Sequence, residues 1–305
     1  MLRVTSNMMN SQLLLNLNRN ARTMNDTQLQ LATGRKINKP SDDPVGITYS
    51  LRYRAELSSN EQYSKNVDNA LSWLDYNDTV LGQAGDVVQR LRELTVQAST
   101  GSNPQSALDS INEEVLQLKE QLVDISNSTL NGKYIFNGEK YNTKPYDFAK
   151  SADGTYDVSK AITTDPGQIQ YIVGEGVQMP INMTGNDVFG YTGDPDNLFA
   201  TINNISAALK SGNSSAISDQ LNNIDTRIES MLTARSEIGA KTNRVELMKE
   251  RLSDLNSNLT ELQAKTEDAE YEELIMKSKI QENIYNASLS VGAKIISTTL
   301  VDFIR

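Results

Sequence analysis

The chain has 305 residues, a formal net charge of −10, and neither histidine nor cysteine. This composition removes thiol nucleophiles, disulfides, imidazole bases and most zinc or iron centres, and the negative charge opposes general binding to nucleic acid phosphates. Aromatic residues make up 6% and hydrophobic residues 38%, which suits helices that bury a narrow stripe against one another better than an enzyme with a thick core.

Charge is spread unevenly. Residues 1–40 hold six Lys/Arg against one acid, Asp26, whereas residues 266–305 hold seven acids against four bases. The two ends therefore attract, modestly in salt. No run approaches the length of a membrane-spanning helix, and Leu13-Leu14-Leu15 is too short for the apolar core of a signal peptide, so no stable membrane insertion is expected. The Arg-containing, acid-poor start resembles an organellar presequence as well as a rod arm.

Residues 6–31 read as a helix. Leu17, Met24 and Leu31 are spaced by seven, with Leu13, Asn20 and Thr27 at the alternate positions. Asn20 and Thr27 make that seam partly polar, so the helix needs a partner to persist. The stretch Leu31 to Gly46 is a joint, because Gly34, Pro40 and Pro44 all break regular structure. Asp43 fits an N-cap with Pro44 in the first helical position, and capping accounts for the Asp42-Asp43 pair without a metal. Two adjacent carboxylates are also poorly placed to flank a substrate bond. No catalytic, cofactor or metal residue is assigned.

Residues 44–98 read as one long helix, or two nearly collinear ones, of about 80 Å at 1.5 Å per residue. Its stripe holds Val67, Leu71, Leu74, Leu81, Ala84, Val88 and Leu91. Asn103 is the expected cap of the next helix and Pro104 its first turn. There Leu108, Ile111, Val115, Leu118, Leu122 and Ile125 form a coiled-coil seam. From Asn131 the pattern changes. Asn131-Gly132 predicts a turn, and Lys133–Gly138, Ile169–Val173 and Val177–Met183 read as strands of a small β-rich insertion. Helix returns from Leu198 to Leu209, and a very long helix runs from Ser214 to about Gln263. Its seam holds Ile217, Leu221, Ile224, Ile228, Met231, Ile238 and Val245, with Arg235 and Thr242 as polar members. The step from Thr242 through Val245 to Met248 shifts the register before Leu252, Leu255, Leu259 and Leu262. In the last segment Ile280, Ile284, Ala287, Val291, Ile295 and Thr298 make a stripe awaiting a partner, and Leu300, Val301, Phe303 and Ile304 close the chain. The expected fold is mainly α: an elongated helical rod of antiparallel long helices with coiled-coil termini and an inserted β-rich domain.

Leu31-Ala32-Thr33-Gly34-Arg35-Lys36-Ile37-Asn38 and Asp42-Asp43-Pro44-Val45-Gly46 resemble the N-terminal signature of the bacterial flagellin family. So do Arg90 to Ala98 (RLRELTVQA) and Ile238 to Arg244 (IGAKTNR). Glu267-Asp268-Ala269-Glu270-Tyr271 resembles the family's acidic start to its last helix. The resemblance covers roughly 1–140 and 200–305. Two features look like the family's hook–filament junction branch: Asn38-Lys39-Pro40-Ser41-Asp42-Asp43-Pro44, and Asn131 to Gly138 (NGKYIFNG). The start Met1-Leu2-Arg3-Val4-Thr5 also fits that branch.

The resemblance implies three regions. Residues 1–43 and 265–305 would be coiled-coil arms, disordered in the monomer; 44–130 and 200–264 the rod; and 131–199 the outer domain. It implies a secreted, extracellular flagellar subunit, not an enzyme. Such a subunit forms a ring between the first junction protein and flagellin, and is exported by the flagellar type III apparatus with an export chaperone. Assembly contacts are expected at Leu13, Leu17, Met24, Leu31, Ile284, Val291 and Ile295. Motif positions are Gly34, Asn38, Asp42, Asp43, Pro44, Arg92, Glu93, Asn243 and Arg244. Flagellin itself and a secreted coiled-coil adaptor remain as rivals.

Overall fold

The computed structural model describes residues 6–150, 155–160 and 162–301, with side chains omitted at 6, 7 and 295–301. The motif at Met1–Thr5, the side chains of Ile295, Thr298, Leu300 and Val301, and Phe303 and Ile304 lie outside the described residues. In chain order come α1 (Ser6–Thr33), α2 (Pro44–Ser99), α3 (Gln105–Ser126), β1 (Thr129–Leu130), β2 (Lys133–Tyr134), β3 (Gln170–Gly174), β4 (Val177–Pro180), α4 (Gly185–Phe189), α5 (Leu198–Ser211), α6 (Ser214–Glu267) and α7 (Tyr271–Val301). The chain forms two compact units, one of residues 60–254 and one of residues 1–59 with 255–305.

In the unit of residues 60–254, the seam residues Val67, Leu74, Leu81, Ala84, Val88 and Leu91 of α2 are buried, as are Ile217, Ile224, Met231, Ile238 and Val245 of α6. Polar seam positions are handled locally. Arg235 turns outward to Asp78, its Nε 2.9 Å from Oδ1. Thr242 donates its hydroxyl to the Ile238 carbonyl at 3.0 Å. Helices α3 and α5 pack together, and the buried Ser206 hydroxyl bonds Asn112 Oδ1 at 2.6 Å in their contact.

Asn103 does not cap α3. Its amide turns back to the carbonyls of Gln97 and Thr100, at 2.7 and 3.2 Å, and Pro104 precedes the first helical residue. Asn131 and Gly132, at φ 52° and 75°, make the turn between the antiparallel strands β1 and β2. The strands are shorter than the sequence pattern suggests. β2 stops at Tyr134, because Asn137 closes a loop by donating to the carbonyls of Lys140 and Thr143. β4 stops at Pro180, which has no N–H for the ladder, and Asn182 then takes over pairing with Ile169 N and Gly167 O. The core of this segment is aromatic. Phe136 packs edge-on to Phe189, with centroids 5.2 Å apart, and Tyr146 and Phe148 each lie 5.0 Å from Phe199.

Candidate assembly interface

In the unit of residues 1–59 and 255–305, the α1–α2 joint is built from backbone hydrogen bonds. Gly34 ends α1 at φ +70°, and a Cβ there would meet Tyr271 Oη at 2.8 Å. Asn38 Nδ2 donates to the Arg35 carbonyl at 2.9 Å. Asp42 Oδ2 accepts from the backbone N–H groups of Asn38 and Lys39, at 3.0 and 2.8 Å. Those two bonds, the Lys39 one first, hold its carboxyl below the usual range. Asp43 Oδ1 accepts from Val45 N and Gly46 N, at 3.1 and 2.9 Å, with Pro44 as the first residue of α2. This is an N-cap arrangement.

Behind the joint lies Glu267, only 1% exposed. It is the last residue of α6 rather than part of α7, so the acidic motif Glu267–Tyr271 spans the link between two helices. Arg54 grips it with Nε on Oε1 at 2.8 Å and Nη2 on Oε2 at 2.5 Å. The Ser50 hydroxyl and Gln263 Nε2 also donate to Oε1, and Arg35 Nε lies 3.4 Å from Oε2. Burial works to raise this carboxyl's pKa, and the bonds from Arg54, Ser50 and Gln263 outweigh it, leaving a value of about 2. Ser50 and Arg54 were not singled out from the sequence, and Glu267 was read only as part of the acidic motif. The only available signal was the acidic motif itself, since the partners lie more than 200 positions away.

Helices α1 and α7 pack along each other. Leu13, Leu17, Met24 and Leu31 are half-buried on α1, and Thr27 is buried among them. The face that α7 buries holds Leu274, Ser278, Gln281, Tyr285, Ser288 and Gly292. Apart from Leu274 and the Tyr285 ring it is polar or small, and Gln281 Oε1 is buried without a hydrogen bond. The apolar stripe of Ile280, Ile284, Ala287 and Val291 lies about 100° further round the helix. Ile284 is 46% and Val291 51% exposed. Leu14 and Leu15 of α1, and Leu255 and Leu262 of α6, are likewise more than 40% exposed.

The remaining motif residues sit in the other unit. Arg92 Nε bonds Asp225 Oδ1 at 2.6 Å, and Glu93 receives Arg90 Nη1 at 2.8 Å. Asn243 and Arg244 are exposed on α6 and make no side-chain hydrogen bond or ion pair among the described residues. The described residues hold no group of three or more Asp or Glu able to bind a metal, and none of their helices is long and apolar enough to cross a membrane.

Long helices with small antiparallel hairpins, terminal helices packed together and apolar faces left outward define a mainly α, flagellin-like structural protein. Residues 4–141 match the family model described as the bacterial flagellin N-terminal helical region, and this part of the chain is similar to that of flagellins. It is 25% identical over 290 residues to flagellar hook-associated protein 3 of Escherichia coli K12, covering 85% of this chain and 86% of that one. It is 27% identical over 254 residues to flagellin of Bacillus subtilis 168, covering 79% of each. A solved structure described as a flagellar hook-associated protein of Vibrio parahaemolyticus superposes with a TM-score of 0.66 at 22% identity, over 74% of this chain and all of that one. The role of this chain is structural, in the bacterial flagellum.

Proposed function

We propose that this chain forms the ring that joins the hook, through the first junction protein, to the flagellin filament. The observation that carries the reading is the outward apolar stripe of α7, Ile280, Ile284 and Val291, each about half exposed. A contiguous apolar stripe left outward marks a surface that other chains cover. Near-full-length similarity to a hook-associated protein 3 favours the junction over the filament. In this reading residues 1–43 and 265–305 are the arms, 44–130 and 200–264 the rod, and 131–199 the outer domain. The arms order on assembly, and Leu13, Leu17, Met24, Leu31, Ile284, Val291 and Ile295 lie in contacts of the assembled arms. The subunit leaves the cell through the flagellar type III apparatus with an export chaperone and catalyses no reaction.

The test offers purified protein to isolated hooks that carry the first junction protein and images the hook ends. A short added segment that stops, and then lets flagellin grow, supports the ring. Continuous growth favours the second reading, a filament subunit, for which the 27% identity to B. subtilis flagellin speaks. Failure to bind the hook end overturns the junction role.

A further inference from the structure

Two chain crossings lie side by side in the unit of residues 1–59 and 255–305. Residues 34–43 carry α1 into α2, and residues 268–270 carry α6 into α7. Each lends the other its backbone. The Lys36 N–H donates to the Glu267 carbonyl at 2.8 Å, and the Ala269 N–H donates to the Gly34 carbonyl at 3.0 Å. Lys36 Nζ adds a bond to the Lys265 carbonyl at 2.9 Å. The bridge between Arg35 and Asp268 stands outside any strand. A two-stranded contact this short is marginal in water.

What supports the bridge is the carboxylate behind it. Glu267 takes Ser50 and Arg54 from α2 and Gln263 from its own helix, and it faces Arg35 of the first crossing. Its backbone carbonyl meanwhile holds Lys36. One residue therefore touches α2, α6 and the first crossing, and stands immediately before the second.

We infer that Glu267 is a latch that couples the two crossings, so that they open together or stay closed together. The inference uses contacts within this unit alone and stands whether the assembled object is a ring or a filament.

Backbone hydrogen exchange on the full chain tests it, comparing wild type with Glu267→Gln. The amides of Lys36 and Ala269 speed up together, by roughly tenfold or more on opening of the latch. Val45 and Gly46, held by Asp43, and α2 beyond residue 60 keep their wild-type rates. Acceleration at one crossing alone, or at neither, overturns the latch. If Glu267→Gln releases α1 and α7 along their whole length, Ser50→Ala decides, because it keeps the carboxylate and Arg54 in place. A smaller acceleration shared by Lys36 and Ala269 supports the latch, and an unshared one overturns it.

Discussion

Arg54 meets Glu267 edge to edge, two nitrogens on two oxygens, across 213 positions of sequence. The carboxylate is buried and the guanidinium half-exposed, so the pair is asymmetric. Replacing Arg54 by Met leaves a buried charge facing only neutral donors and the more distant Arg35. Breaking one side of such a pair costs about 3 kcal/mol or more. Arg54→Lys keeps the charge but loses the paired geometry, and falls between. Urea denaturation of the two variants beside wild type checks both values.

Acid acts on the same residue. A carboxyl depressed in the folded state adds stability that is complete above its unfolded value, near 4.5, and fades as the pH falls towards about 2. The full contribution is on the order of 3 kcal/mol. Wild type should therefore lose stability more steeply than Glu267→Gln inside that window. Denaturation midpoints followed through the acid range give the comparison, and parallel slopes would remove Glu267 from acid sensitivity.

At the start of α2, Asp43→Ala should cost about 1 kcal/mol, because Val45 and Gly46 lose their acceptor. Asp43→Ser should retain most of it. Thermal melting separates the two.

Gly34 is constrained twice, by its φ of +70° and by the Tyr271 hydroxyl. Gly34→Ala pays about 1 kcal/mol for the left-handed backbone and more for the close approach. Tyr271→Phe in the same chain should recover the second part and leave the first. A double-mutant cycle in which the two changes simply add would show that the hydroxyl is no obstacle.

The two terminal helices should respond differently to charge. Ile284→Asp and Val291→Asp fall on exposed positions, so melting should move by no more than about 0.5 kcal/mol while incorporation at hook ends is lost. Leu17→Asp and Met24→Asp fall on the half-buried face against α7 and should loosen the pair before any assembly. Circular dichroism and hook-end imaging read the two effects. Normal incorporation of Ile284→Asp would take the stripe out of the interface.

The long helices were legible because a three-four apolar seam over about 25 residues has one reading, and most of Val67 to Leu91 and Ile217 to Val245 is buried accordingly, with Leu71, Leu221 and Ile228 partly so. The α7 stripe was visible too, but not that it would point away from α1. Periodicity names a face without naming its neighbour. The strands were overextended to Gly138 and Met183, because alternation does not register an asparagine side chain ending a ladder. Glu267 was hidden for another reason. Its partners are ordinary residues of α2, and nothing local marks Ser50 or Arg54 as waiting for a carboxylate.

The distance between those partners also sets a schedule. When a ribosome has just passed Arg54, Ser50 and Arg54 exist without Glu267, which is still more than 200 codons away. Asp42 and Asp43 can shape the bend from α1 into α2 early, but the Glu267 contacts that brace it cannot form at that stage. Those contacts wait until codon 267 has been read, so the brace on the first joint sets long after the joint itself is written.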